Sequence, residues 1–226
     1  MAIRVERMTM RDVPEVMAIE RESFSAPWPV DAYRRELIEN RMAHYFLLRL
    51  FPAIQPEVEE PEPEEAMPAR RGFLGLLVPR LWRPQVPPAP RTISIAGYAG
   101  LWLMVDEAHI TTIGVRPRFR RRGYGELLLV TLIEAALDIN ARWLTLEVRV
   151  SNDLAQQLYR KYGFHDAGIR RRYYTDNHED ALIMWTDELH SAAFQDNYRR
   201  LKERLLDRLE QEGLVLAGWP AARRIT

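Results

Sequence analysis

Apolar and polar positions change period several times along the chain. Ile3–Met8 reads as a strand. Asp12–Ser23 reads as a helix, with Val13, Val16, Met17 and Glu20 close to helical spacing and Pro14 tolerated in the first turn. The loop SFSAPWP leads to a short helix near Asp31–Glu39, and His44–Leu50 and Ile93–Val105 read as strands. HITTIGV (His109–Val115) is a further strand, followed by the loop RPRFRRRGYG and a strongly apolar helix over Glu126–Asp138. Arg142–Val150 alternates, with Leu144, Leu146, Val148 and Val150 on one face and Trp143, Thr145, Glu147 and Arg149 on the other. Ser151 or Asn152 caps a helix that runs to Tyr162, and Gly163 stops it. Two more strands are predicted near Phe164–Arg172 and Ala181–Trp185. Asp187–Glu212 is helical and heavily charged, with Leu201, Leu205 and Leu209 at i, i+4 and i+8 and Tyr198 and Leu206 beside that stripe. Such a helix packs on the domain as an extension or serves an oligomer or partner. The element order is α/β.

One stretch breaks the pattern. Of 15 prolines, 10 lie between Phe51 and Thr92, together with six glutamates in EVEEPEPEE (Glu57–Glu65). Proline removes backbone donors and clustered glutamates repel, so this part builds neither ladder nor core. It reads as a largely disordered insertion over 51–92 that replaces a hairpin turn, which chain entropy tolerates because closure cost grows only logarithmically. Its middle, RRGFLGLLVPRLWR (Arg70–Arg83), is apolar between arginines. That is either a sticky spot in a linker or a short element that meets a partner or a membrane surface. The domain expectation is therefore a core over 1–50 and 93–189, the insertion, and a helical extension over 190–226.

Composition narrows the chemistry. Of 226 residues, 32 are Lys or Arg and 32 Asp or Glu, so no uniform basic field for wrapping duplex nucleic acid and no direct nucleic-acid binding are expected. Cysteine is absent, which excludes disulfides, thiolate zinc sites and thiol nucleophiles. The five histidines (44, 109, 165, 178 and 190) show no paired ligand spacing and read as structural or surface residues, so no metal is expected. The start carries Arg and Glu rather than a signal-peptide core, and no transmembrane span is present; the expected compartment is the cytoplasm.

Two stretches carry chemistry. In IGVRPRFRRRGYGELLL a strand runs into an Arg-Gly loop that opens a helix. Gly123 and Gly125 let the backbone approach a ligand, the helix N-terminus offers free N–H groups, and Arg120, Arg121 and Arg122 add positive charge. Such a site suits phosphate, although the same residues also make an ordinary strand-to-helix turn. A dinucleotide fingerprint fails because position 128 is Leu, and a P-loop lacks its G-K-[ST]. In LEVRVSNDLAQQLYRKYGF, Glu147 points away from the leucine layer and Tyr159 follows within the next helix. A carboxylate and a phenol reaching one cleft can act as base and acid. Singly, each is also an ordinary solvated or packing residue.

Together these stretches resemble the GNAT superfamily, the GCN5-related N-acetyltransferases, whose cofactor loop [QR]-x-x-G-x-[GA] is matched by Arg120, Gly123 and Gly125. FSAPWP, TIGVRPRFRRRGYG, LEVRVSN, LYRKYGF and IRRRYYTDNHEDALIM, in that order, are similar to the RimI-type branch, which acetylates the N-terminal alanine of a small-subunit ribosomal protein. The resemblance spans Ile3–Leu50 and Ile93–Leu189 and implies a mixed, mostly antiparallel sheet with one splayed parallel strand pair and flanking helices. It implies that acetyl-CoA is held by Ile113, Gly114 and Val115, by the backbone from Arg121 through Arg122, Gly123, Tyr124 and Gly125 to Glu126 beside Arg120, and by Asn152. It makes Glu147 the general base and Tyr159 the general acid for the departing thiolate, and places Pro27, Trp28, Tyr173 and Tyr174 in a peptide groove. The insertion and the C-terminal helix have no counterpart in that pattern.

The implied chemistry is consistent with one carboxylate base. The attacking amine must be neutral, and an α-amino group has a pKa of about 7.7–8.0 against about 10.4 for lysine. At pH 7 that difference amounts to about 3–4 kcal/mol of barrier. Backbone donors suit the oxyanion that forms. The competing expectations are a GNAT enzyme acting on other N-termini, lysines or a small amine, and a non-catalytic RNA- or ribosome-binding module built on Arg116, Arg118 and Arg120–Arg122.

Overall fold

A computed structural model of the chain describes residues 1–51 and 94–216. The insertion expected over 51–92, with its Arg70–Arg83 segment, lies outside the described residues from position 52 onward. So do residues 217–226.

Among the described residues eight strands form one sheet: β1 (Ala2–Arg7), β2 (Ala43–Phe51), β3 (Ser94–Met104), β4 (Glu107–Val115), β5 (Trp143–Arg149), β6 (Phe164–Arg170), β7 (Ala181–Thr186) and β8 (Val215–Leu216). Their order is β6-β7-β5-β4-β3-β2-β1-β8. Among the described residues only β4–β5 and β1–β8 pair in parallel, so the sheet is mixed and mostly antiparallel. The helices are α1 (Val13–Ser23), α2 (Val30–Arg34), α3 (Tyr124–Asp138), α4 (Asp153–Lys161) and α5 (Ala192–Gln211). The second predicted helix changes character midway: Arg35–Glu39 is a π-turn, closed by the Asn40 N–H donating to Arg35 O at 2.9 Å.

Alternation along β2 and β3 divides the apolar residues between the two faces of the sheet. Tyr45, Leu47, Ile95 and Tyr98 pack with Val13, Val16, Met17 and Ile19 of α1 and Tyr33 of α2. Leu48, Leu50, Ala96 and Ala99 pack with α3 on the other side. The insertion connects two paired strands, since Leu50 lies opposite Ser94. Phe51, counted with the insertion in the sequence reading, pairs with Ala2 and ends β2.

The strong apolarity of α3 has a structural cause. Leu127 through Ile133 are all buried, which a helix with one solvated face would not require. Its outer side is covered by Tyr198, Leu201, Leu205 and Leu209 of α5, members of the same core. At about 1.5–3 kcal/mol per fully buried Leu, this stripe is a substantial fraction of the domain's stability. The C-terminal helix therefore packs on the domain. Beyond it lies a strand that the sequence pattern does not predict: Gly213, at φ 74°, turns the chain so that β8 joins the sheet beside β1.

Candidate active site

The site begins where two parallel strands part. β4 and β5 pair from Glu107↔Trp143 to Ile110↔Leu146 and no further, although both continue. At the same point β4 carries a bulge: Ile110 faces Leu101 and Thr112 faces Gly100, which leaves Thr111 as the extra residue. A bulge bends its strand and raises local twist, and here it turns β4 away from β5. The gap opens into a cleft of about 560 Å³ lined by Ile110–Ile113 on one side and Glu147–Arg149, Asn152 and Tyr159 on the other.

Beyond β4 the chain forms a short 3-10 turn (Pro117–Phe119) and reaches α3 through two left-handed residues, Arg121 (φ 65°) and Gly123 (φ 76°). The first helical bond runs from Leu127 N–H to Gly123 O at 2.9 Å. The N–H groups of Arg121 through Glu126 make no hydrogen bond among the described residues. Those N–H groups at the positive end of a 15-residue helix could cradle an anion. Arg121 and Arg122 are exposed beside it. Arg120 instead turns back, donating from Nε to Val115 O at 3.1 Å, and Ser23 Oγ donates to the same oxygen. With both lone pairs engaged, the Val115 carbonyl is committed inside the chain.

Glu147 lies at the floor of the cleft with its side chain 7 % exposed. Its Oε2 is 3.1 Å from His109 Nε2 and its Oε1 is 3.2 Å from Arg170 Nη1. The hydrogen bond from His109 holds the carboxyl below its ordinary value; burial works against this, and the charges of His109 and Arg170 reinforce it. His109, read from the sequence among the structural or surface histidines, thus lies in the cleft wall against Glu147. Its Nδ1 is 2.8 Å from Thr145 Oγ1, which donates to Glu107 Oε1 at 2.8 Å. A hydroxyl that gives its proton to Glu107 must accept from the His109 Nδ1–H, and this aims Nε2 at Glu147.

Glu147, His109, Trp102 and Tyr173 also line a second cavity of about 290 Å³, with Glu107, Thr145, Arg170 and Trp185. The two cavities meet at the carboxylate. Tyr159 faces the larger one, half-buried, its ring 5.7 Å from Phe164. Its hydroxyl has no hydrogen-bond partner among the described residues, and burial, with Tyr174 nearby, pushes its pKa up. Asn152 lines the cleft while its Oδ1 caps α4, accepting from Ala155 N–H at 3.3 Å.

The expected groove residues separate. Trp28, Tyr173 and Tyr174 line the cleft, whereas Pro27 is exposed and outside its wall. Two residues not singled out for the site hold these loops. Glu20, 2 % exposed, accepts from the hydroxyls of Tyr33 (2.7 Å) and Tyr98 and from the Trp28 N–H at 3.2 Å. Arg149 donates to Asp176 at 2.8 Å and to Glu179 at 3.0 Å and lies 3.9 Å over the Tyr174 ring. A carboxylate at an apolar helix position was the sequence signal for Glu20. No signal marked Arg149, because its partners lie across a loop.

Residues 47–164 match the Acetyltransferase (GNAT) family. A Bacillus subtilis (strain 168) protein, provisionally named a ribosomal protein bS18-alanine N-acetyltransferase, is 37 % identical over 181 residues, 80 % of this chain and 93 % of that one. The ribosomal protein bS18-alanine N-acetyltransferase of Salmonella typhimurium (strain LT2) is 45 % identical over 92 residues, 40 % of this chain and 62 % of its own. The crystal structure of the ribosomal-protein-S18-alanine N-acetyltransferase from Escherichia coli superposes with a TM-score of 0.59 and 26 % identity, over 84 % of this chain and 96 % of that one. Among the described residues no helix is long and apolar enough to cross a membrane.

Proposed function

Because the chain belongs to the GNAT acetyltransferase family, whose members take the acetyl group from acetyl-CoA, we propose that it acetylates the N-terminal alanine of a small-subunit ribosomal protein. The observation that carries this reading is that two cavities share Glu147 in their walls, one reaching along β4 to Ile113 and the other back along β4 to Glu107. Two substrates can then approach one carboxylate from different directions. The names of the Bacillus, Salmonella and Escherichia relatives support the acceptor.

In this reading acetyl-CoA supplies the activated acetyl thioester. The N–H groups of Arg121–Glu126 bind its diphosphate, helped by Arg121 and Arg122. The β4 edge beyond the bulge, at Ile113 and Gly114, binds the extended pantetheine arm as a missing strand would. The committed carbonyl of Val115 leaves that role chiefly to Ile113. Asn152 reaches the arm from the other wall.

Glu147 is ionised at neutral pH and accepts a proton from the incoming amine. A carboxyl held below its ordinary value is a weak base, so the proton has to move on. It leaves to solvent through the second cavity, while His109, anchored by Thr145 and Glu107, orients the carboxylate. Tyr159, with its pKa raised, stays protonated and donates to the departing sulfur. A thiol has a pKa of about 8.5, below that of this phenol. The main contribution of Tyr159 is therefore a hydrogen bond to developing negative charge rather than a completed proton transfer. Trp28, Tyr173 and Tyr174 grip the peptide, and Pro27 shapes the loop that carries Trp28.

The test is mass spectrometry of peptides incubated with the full chain and acetyl-CoA. An N-terminal alanine peptide of the ribosomal protein should gain one acetyl group on its α-amine. Preference for lysine side chains or polyamines over that peptide would overturn the assignment.

A further inference from the structure

The helix α5 lies directly behind the loop assigned above to the diphosphate. A side-chain carbon placed on Gly123 would stand 3.0 Å from Arg208 Nη2, 3.3 Å from Leu209 Cδ2 and 3.6 Å from Leu205 Cδ1. The loop thus needs glycine on two counts, its left-handed φ and the close approach of α5. Arg208 also reaches into the first turn of α3, where its Nη2 is 2.7 Å from Glu126 Oε2. The other oxygen of Glu126 accepts from Lys161 Nζ at 2.5 Å and Tyr162 OH at 2.8 Å. The carboxylate is 9 % exposed, so these partners are its whole polar environment among the described residues. Burial alone would raise its pKa, but the bonds from Lys161, Arg208 and Tyr162 outweigh that and hold it low.

This arrangement has an electrostatic purpose. A carboxylate in the first helical turn stabilises the helix dipole, but it repels a second anion at the same N–H groups. Two cations on one carboxylate reverse the local balance. Lys161 comes from the end of α4 and Arg208 from α5, so the correction depends on an element the family motif does not contain. The helix is held there at its far end: the Val215 N–H donates to Met1 O at 3.1 Å and β8 pairs with β1.

We propose that the C-terminal helix is a working part of the acetyl-CoA site, with Arg208 as a positioning residue that neutralises Glu126 and braces the Gly123 turn. The inference rests on the reading of the Arg121–Glu126 loop as the diphosphate site. It assigns a role in cofactor affinity to a segment that otherwise looks like an appendage.

Calorimetry on the full chain tests it with acetyl-CoA and with S-acetylpantetheine, which lacks the diphosphate. Arg208→Gln should weaken acetyl-CoA binding roughly tenfold, as expected for one charge-assisted hydrogen bond, and leave S-acetylpantetheine affinity unchanged. The turnover number at saturating acetyl-CoA should stay within about twofold of the parent, so the loss falls on KM. Arg208→Lys keeps the charge and should recover most of the affinity. It also keeps the test open if Arg208→Gln unfolds, which thermal melts reveal. If the parent prefers acetyl-CoA and Arg208→Gln keeps that preference in full, the role of the helix is overturned and the loop assignment survives. If the parent binds both ligands equally, the loop assignment itself falls, and this inference with it.

Discussion

At the start of α3 the groups proposed to bind the cofactor are main-chain N–H groups, set by two left-handed residues and a helix end. In the cleft they are side chains from β4, β5 and α4, set by strand register and by a bulge at Thr111. The cradle is local: Arg121 to Glu126 are consecutive, and a change there alters the backbone itself. The cleft is assembled from residues far apart in sequence, such as His109 and Glu147, 3.1 Å apart across two parallel strands. A backbone site is therefore expected to control ligand affinity, and a side-chain site the rate of the chemical step.

The largest expected effect tests the cleft. Tyr159→Phe removes one hydroxyl and keeps the ring against Phe164. We expect the turnover number to fall about 10²–10³-fold, the range for a donor aimed at developing charge, while acetyl-CoA affinity changes less than about threefold. Stopped-flow transfer with calorimetry on the same variant checks both. Equal losses in rate and affinity would break the comparison. A smaller effect tests the cradle. Gly123→Ala forces a side chain into a left-handed position at about 1–2 kcal/mol and meets Arg208 at 3.0 Å. Acetyl-CoA should bind roughly tenfold more weakly, with the turnover number at saturation nearly unchanged. A turnover loss comparable to that of Tyr159→Phe would show that the loop also takes part in the chemical step.

The same contrast explains what the amino-acid order revealed. Glycines, a positive helix end and an arginine run are local, so the cradle is legible in one short stretch. Alternation along β5 put Glu147 opposite the leucines, and Ser151 or Asn152 read as a cap, of which Asn152 is the one that caps α4. His109 was not legible, because its neighbour depends on the parallel register that sets it beside Thr145, two residues before Glu147. Nothing local marks Thr111 as the residue that would bulge, nor the two-residue β8 that closes the sheet edge. Arg149 alternates as expected, yet its value lies in carboxylates about thirty positions away, brought back by a turn. Local chemistry is written in spacing; partners across the sheet are written in packing.

Arg149 also supplies the smallest expected effect, and it sharpens the comparison from the wall of the cleft, away from the reacting groups. Asp176 is lowered to about 2 by the hydrogen bond from Ser25 and then by Arg149. Glu179 is lowered to about 2 by Ser151 and then by Arg149. Groups lowered on folding favour the latched loop fully above their ordinary values of 3.8 and 4.5 and lose that contribution as pH falls toward about 2. The latch should thus be constant across neutral pH and loosen only in strong acid. The Tyr174 ring, 3.9 Å from the guanidinium, reports it through its proton chemical shifts. Because these pairs are solvent-screened, Arg149→Gln should raise the peptide KM only about threefold at pH 7 and abolish the acid-dependent Tyr174 shift. It should leave acetyl-CoA affinity intact, since Arg149 does not touch the cradle. A Tyr174 shift that titrates near neutral pH in the parent would mean that a group other than these two carboxylates holds the peptide loops. Loss of acetyl-CoA affinity in Arg149→Gln would mean that cleft and cradle are one mechanical unit rather than two.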